Sequence, residues 1–255
     1  MRGPRPSGRV EKYLTERLGK GPLHFTLIDP DKSPGPRAAA IAKGAVALGS
    51  DAILLGGSTG ISRQVMGEAA TAVKSTVGAP AIIFPQGPES LAREADAVLF
   101  MSLLNSRNLD LVIRTHARAA LAVRAIGLEP IPLGYLVIAP GMRVGQVGQV
   151  DPVERDDLEG ATGYALAAEF LGMRYIYLEA GSGAPEPVPA PMVRAVRDAV
   201  SIPVIVGGGI RTGNDARTLL EAGANVLVTG TITEEEGLGE GFRGILEEVR
   251  RARGG

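Results

Sequence analysis

Asp29 and Glu179 are the side chains of this sequence best placed to do chemistry. Each closes an apolar run, HFTLI before Asp29 and YIYL before Glu179, so each stands at the C-terminal tip of a strand. A carboxylate there can accept a proton from a hydroxyl, hydrogen-bond polyol oxygens or hold a hard divalent cation. Two further runs set the ligand class: IVGGGIRTG at 205–213 and LVTGTIT at 227–233. Both are β-branched strands that break into glycine before a helix-like segment. That leaves backbone N–H groups bare and aims a helix N-terminus at an anion. The chemistry indicated is that of a phosphate-bearing ligand.

Each candidate also has a plainer use. Asp29 can cap a turn before Pro30. It can equally carry a Mg²⁺ that relieves repulsion between its own charge and a phosphate, since magnesium commonly takes one or two carboxylates plus substrate oxygens. Asp31 reads as an N-cap or turn residue. Ser58, in the glycine-rich loop GGSTG, either joins a metal shell or serves a tight turn. Glu179 is a base or hydroxyl-binding group, or one half of a salt bridge in a barrel mouth. His24 reads as structural, near the start of its strand. His116, among Arg114, Ala117 and Arg118, reads as a solvent-facing helical residue. The run Glu234–Glu236 reads as a helix start favoured by the positive N-terminal dipole, and the arginines of 250–253 suit a helix end.

The elements that must position these groups alternate regularly. Strands are expected at 23–28, 52–55, 81–84, 97–101, 131–138, 175–178, 204–206 and 226–229, eight in all. Helices fit 37–48, 62–76, 109–126, 157–171, 191–199, 215–222 and 241–253. The connection 85–95 is too short for a proper helix, so the third outer helix is expected to be missing or reduced. Residues 1–9 read as a flexible arm and 10–19 as an amphipathic helix that plugs the barrel bottom. Strand, turn and helix in this order are the pattern of an α/β chain closing into a single-domain (β/α)8, or TIM, barrel. A length of 255 residues suits one such barrel, which needs about 250.

Composition excludes several function classes. With 27 basic and 28 acidic side chains the net charge is −1, so a nucleic-acid partner is not expected. The chain has no cysteine and two histidines, which removes thiolate chemistry and multi-histidine zinc sites. No run approaches the roughly 18 apolar residues of a membrane span, and the basic N-terminus lacks a signal-peptide core, so the cytosol is the expected location.

HFTLIDPDK, ILLGGSTG, IFPQGPESL, LGYLVIAPGMRVGQVGQV, YIYLEAGSG, VIVGGGIRTG and VLVTGT together resemble the geranylgeranylglyceryl phosphate synthase family. The strand 5 passage resembles its archaeal-type group II branch. VGGGIR alone occurs in many phosphate-binding barrels; LIDPDK combined with YLEAGSG is specific. The resemblance implies a prenyltransferase of phospholipid biosynthesis that joins sn-glycerol 1-phosphate to geranylgeranyl diphosphate through an ether bond, releasing pyrophosphate. It implies Mg²⁺ held at Asp29 and Ser58. Tyr177, Leu178, Glu179, Ala180, Gly181, Ser182, Gly183, Gly208, Gly209, Gly230 and Thr231 would form the glycerol phosphate site, with Glu179 and Asp29 catalytic. Leu103, Leu104, Ile138 and Ala139 are candidates for an apolar groove that takes the prenyl tail. It also implies a homo-oligomer, dimer or hexamer, whose contact with membranes is peripheral at most.

The competing function is a phosphosugar isomerase or lyase on the same barrel. Such enzymes pair acidic residues on strands 1 and 5, yet PIPLGYLVIA carries no carboxylate. A flavin-dependent oxidoreductase and a non-catalytic phosphate-binding barrel fit less well.

Overall fold

Side-chain parity along the strands decides which residues reach the barrel interior. In the computed structural model, which describes residues 8–57 and 60–254, eight parallel strands close into a barrel in the order β1 to β8. They are β1 (Leu23–Ile28), β2 (Ala52–Leu55), β3 (Ala81–Ile83), β4 (Ala97–Leu103), β5 (Glu129–Val137), β6 (Tyr175–Glu179), β7 (Val204–Gly207) and β8 (Val226–Thr229). Leu23, Phe25, Leu133, Tyr135, Tyr175, Tyr177 and Ile205 fill the interior, while Ile53, Leu55, Leu136, Ile176 and Val206 pack outward on the helices. The two-residue period then puts Asp29, four after Phe25, and Glu179, two after Tyr177, on the inward side at the mouth.

The helices are α1 (Arg9–Leu18), α2 (Gly35–Leu48), α3 (Arg63–Lys74), α4 (Thr115–Ala125), α5 (Met142–Val147), α6 (Leu158–Phe170), α7 (Ala190–Ala199), α8 (Gly213–Glu221), α9 (Thr231–Glu235) and α10 (Glu240–Gly254). Between β3 and β4 stands only a single turn at Pro88–Ser90, so the third outer helix is reduced as expected. α1 starts at Arg9; the rest of the expected arm, apart from Gly8, lies outside the described residues. Val10 and Leu14 join the interior core from below, so α1 is the plug. Its first N–H groups, of Val10 and Glu11, both donate to the Glu129 carboxylate at 2.9 Å. Strand 5 therefore does carry an acid, at its N-terminal end, where it binds the plug and is remote from the catalytic rim.

Three readings need correction. Glu234 does lie in the first turn of α9, but that helix begins earlier than read, at Thr231, so Glu235 ends it and Glu236 follows it. α5, of six residues, forms in a stretch where no helix was expected, and α9, of five residues, is the helix-like segment expected after strand 8. The helix read at 109–126 opens with a wide turn in which Thr115 N–H reaches Asp110 O, five residues back.

The two ends of the chain meet at Asp51, buried below β2. It accepts from Arg17 Nε at 2.6 Å, from His24 N–H at 2.9 Å and from Arg253 of α10. His24 is structural, as read: fully buried, with Nδ1 3.1 Å from Ser50 Oγ and Nε2 2.9 Å from Thr229 Oγ1. Burial, with the Arg253 charge behind it, pushes its pKa from 6.5 down to about 3. Between those values the unfolded chain binds the proton and the folded one does not. The stability contributed by neutral His24 is complete above pH 6.5 and is lost as pH falls, by about 1.4 kcal/mol per pH unit. Thermal melts from pH 7 to 4 should show wild-type Tm falling more steeply than that of His24→Gln; parallel profiles would contradict this role.

Candidate functional site

Glu179 is the most enclosed acid at the rim. Its side chain is buried, Oε2 accepts from Tyr135 Oη at 3.0 Å and Oε1 accepts from Gly181 N–H at 2.6 Å. Tyr177 adds a further side-chain hydrogen bond. Burial raises the Glu179 pKa above the ordinary glutamate value, against the opposing pull of these three donors. Burial, then the adjacent Glu179 charge, holds both tyrosine hydroxyls well above their usual pKa, so both remain donors. No arginine or lysine pairs with Glu179 among the described residues, which removes the salt-bridge reading. The result is an oriented carboxylate whose proton affinity is above normal, as a general base requires.

The glycine loops close around it. Gly208 and Gly209 adopt φ of +82° and +71°, a backbone form that side chains disfavour. A Cβ on Gly208 would lie 2.5 Å from Glu179 Oε1 and 2.7 Å from Gly181 N. The β7 tip thus meets the Glu179 carboxylate and the Gly181 backbone with no side chain of its own between them. Ser182 Oγ and Thr231 Oγ1 are 2.9 Å apart, which brings the loops after β6 and β8 together. Tyr177, Gly181, Ser182, Gly208 and Thr231 are therefore brought together beside Glu179 at the ends of β6, β7 and β8. Ala180 is fully buried against the outer core, so it contributes main chain only, and the Leu178 side chain likewise points outward.

Asp29 stands on the opposite flank, where β1 pairs with β8 and β2. Its Oδ1 accepts from Asp31 N–H at 3.0 Å, the turn-capping bond, and Asp31 itself is an exposed turn residue. The carboxylate also presses on Gly57, where a Cβ would lie 2.5 Å from it. Burial raises its pKa, opposed by the Asp31 N–H and the Lys32 charge. Lys32 is committed to Glu234 at 2.6 Å, a pair that ties the β1 and β8 loops together. Ser58 lies outside the described residues. No cluster of three or more potential metal-ligating acids or histidines occurs among the described residues.

An apolar groove opens between β3 and β4. Their register spans two pairs, Ile82 with Ala97 and Ile83 with Val98, while β4 runs on to Leu103. The wall is therefore parted above Val98, where a third helix would have covered it. Inward-facing Leu99, Met101 and Tyr135 and outward-facing Val98 and Phe100 line the same cavity, with Leu91, Leu111 and Val123 farther out. It begins at the tyrosine that touches Glu179 and passes through the wall. Tyr135 packs on Tyr177 at 4.9 Å and Phe84 at 5.7 Å between ring centroids.

Of the residues expected to line this groove, only Leu103 does. Leu104 and Ile138 have the outward parity and pack in the core against the helices, and Ala139 is held in the loop by Val153 O. His116 is also reassigned. It is half-buried, donates from Nε2 to Met101 O at 2.6 Å, stacks edge-on with Phe100 and lines the groove. A wider cleft between α2, α3 and the β3–β4 connection includes no strand-end residue.

A family model described as the PcrB family matches residues 12–249. The chain belongs to that family. It is 48% identical over 242 residues to a geranylgeranylglyceryl phosphate synthase of Thermococcus gammatolerans, covering 95% of this chain and 96% of the relative. A protein of the same name from Pyrococcus horikoshii is 46% identical, covering 95% and 96%. Among solved structures, the (S)-3-O-geranylgeranylglyceryl phosphate synthase of Thermoplasma acidophilum, in complex with its substrate sn-glycerol-1-phosphate, superposes with a TM-score of 0.91. It is 42% identical and covers 97% of this chain and 100% of its own. A thiamine phosphate pyrophosphorylase of Pyrococcus furiosus, 18% identical with a TM-score of 0.59, shares the fold alone.

Tyr135 was missed in the sequence although it carries a signal: it is the one aromatic residue in an otherwise aliphatic strand 5. Tyr135→Phe removes a donor that stabilises ionised Glu179, so the acidic limb of the pH–rate profile should move to higher pH. An unmoved limb would detach the tyrosine from the carboxylate.

Proposed function

We propose that this PcrB-family chain is a geranylgeranylglyceryl phosphate synthase that joins the 3-hydroxyl of sn-glycerol 1-phosphate to C1 of geranylgeranyl diphosphate. The observation that carries the reading is the buried, hydrogen-bonded Glu179 between the glycine turns that end β6, β7 and β8 and an apolar groove. The bare N–H groups of the glycine turns suit a small polyol phosphate and the groove suits a long hydrocarbon. The isomerase alternative loses ground because the acid of strand 5 is bound to α1.

The glycine turns after β7 and β8 hold the glycerol phosphate, and Glu179 orients the hydroxyl and takes its proton. The glycerol oxygen then bonds to prenyl C1 as the bond from C1 to the diphosphate oxygen breaks, and pyrophosphate leaves. Allylic cation character at C1 develops beside Phe84, Tyr135 and Tyr177, whose ring faces favour positive charge. Holding both substrates lowers the entropic cost of their encounter.

Asp29 fits a Mg²⁺ ion: it is one hard carboxylate, partly desolvated, with no cation among the described residues ion-paired to it and no side chain on Gly57 in its way. When bound, the ion supplies Lewis-acid neutralisation of the departing diphosphate. Lys32, on the same loop, neutralises the nearby Glu234 through its ion pair and so offsets part of the negative charge beside Asp29. No helix among the described residues is long and apolar enough to cross a membrane, in keeping with a cytosolic enzyme, and the family resemblance favours a dimer or hexamer.

The test is incubation of purified protein with Mg²⁺, sn-glycerol 1-phosphate and labelled geranylgeranyl diphosphate. An organic-soluble phosphate ether is expected, abolished by chelator. No ether with prenyl donors of any length would overturn the assignment.

A further inference from the structure

The helical segment beside the groove is apolar on two sides. Leu111, Ala119 and Val123 face the groove. On the outer side Leu109, Ile113 and Leu121 are 47%, 55% and 74% exposed, with exposed Ala117 between them. Their four-residue spacing is kept in one line by the wide turn at Asp110–Arg114, which absorbs the extra residue. The stripe is bordered by exposed Arg114, Arg118 and Arg124. Asp110 is the only acid from 107 to 126 and is held by Arg118 at 3.0 Å. Arg114 and Arg124 have no ion-pair partner among the described residues.

From this we infer that the outer face of the 109–125 helix docks on an anionic lipid surface, from which a prenyl diphosphate enters the groove that the same helix walls. Apolar side chains flanked by arginines are what a helix lying in the headgroup layer presents. The arginines meet lipid phosphates there, whereas a second copy packed symmetrically on this stripe would set arginine against arginine. The groove and the stripe are opposite sides of one helix, so a lipid-borne substrate crosses a single helix width to reach Tyr135.

The inference rests on the prenyl-transfer reading for what passes through the groove, but its test uses no substrate. Co-sedimentation of the intact protein with phosphatidylglycerol–phosphatidylcholine vesicles should show binding that weakens with salt and is absent on pure phosphatidylcholine. Ile113→Glu with Leu121→Glu should lower vesicle affinity by at least about tenfold. Arg114→Gln with Arg124→Gln should lower it less and flatten the salt dependence. Neither pair touches the reacting groups, so turnover of a shorter, water-soluble prenyl diphosphate should stay at the wild-type rate, which also shows that the variants fold. No vesicle binding by wild type, or binding unaltered by both pairs, overturns the inference. So does a changed oligomeric mass in the glutamate variant with vesicle binding intact, because the stripe would then be covered by another copy. Vesicle binding lost in the variants while wild type forms no ether would leave the docking face standing and remove the enzymatic assignment.

Discussion

Glu179→Gln is expected to lower turnover by about 10²–10⁴-fold, the contribution of a positioned proton acceptor. Glutamine keeps the length and planarity of the side chain: its single oxygen can still accept from Gly181 N–H while its NH2 donates to Tyr135 Oη, which then serves as acceptor. Binding of sn-glycerol 1-phosphate should therefore change little, while the hydroxyl loses the group that takes its proton. Burial has already raised the affinity of Glu179 for a proton. Wild-type activity should accordingly fall on the acid side, at a pH above that expected for an exposed glutamate, and the glutamine variant should lack this limb. Steady-state kinetics beside calorimetric titration of glycerol phosphate separates the effects. A variant that loses binding and turnover in equal measure would make Glu179 a binding residue.

Asp29→Asn is the second large effect, with a loss in turnover of at least about 100-fold, in line with several kcal/mol of charge stabilisation on a leaving diphosphate. The substitution keeps the turn, because the Asp31 N–H still meets an oxygen. It removes the charge that suits a divalent ion. Glycerol phosphate affinity should be nearly unaltered, since the glycine loops that hold it belong to β7 and β8. Equal losses in turnover and glycerol phosphate binding would refute the metal role. The same variant should fold as well as wild type or better, because a buried carboxylate is costly to keep ionised.

Most strand boundaries were legible because those strands are short aliphatic runs ended by glycine, proline or an acid; β4, which runs through Ser102 to Leu103, and β5, which starts at Glu129, extend two residues beyond the expected ends that lacked such a stop. The reduced third helix was legible as well, since eleven residues from 85 to 95 cannot turn, form a helix and return. Asp29 and Glu179 could be placed at the mouth from strand position alone. Parity along β4 and β5 also held the answer for Leu104 and Ile138, whose even positions send them outward. α5 escaped notice because a six-residue helix amid glycines leaves no periodic trace. His116 was misread for a geometric reason. The wide turn ahead of α4 rotates it out of solvent toward Met101, a rotation that straight 3.6-residue periodicity does not contain. The pressure of Asp29 on Gly57, and the parting of the wall above Val98, depend on contacts between strands and could only come from the assembled barrel.

The most direct measurement follows an oxygen atom. With sn-glycerol 1-phosphate carrying ¹⁸O at its 3-hydroxyl, attack of that oxygen on prenyl C1 places all the label in the ether bond and none in the released pyrophosphate, as mass spectrometry will read. Label absent from the lipid product, or released pyrophosphate without any ether, would contradict the proton-accepting role of Glu179 and the joining of two substrates at this rim.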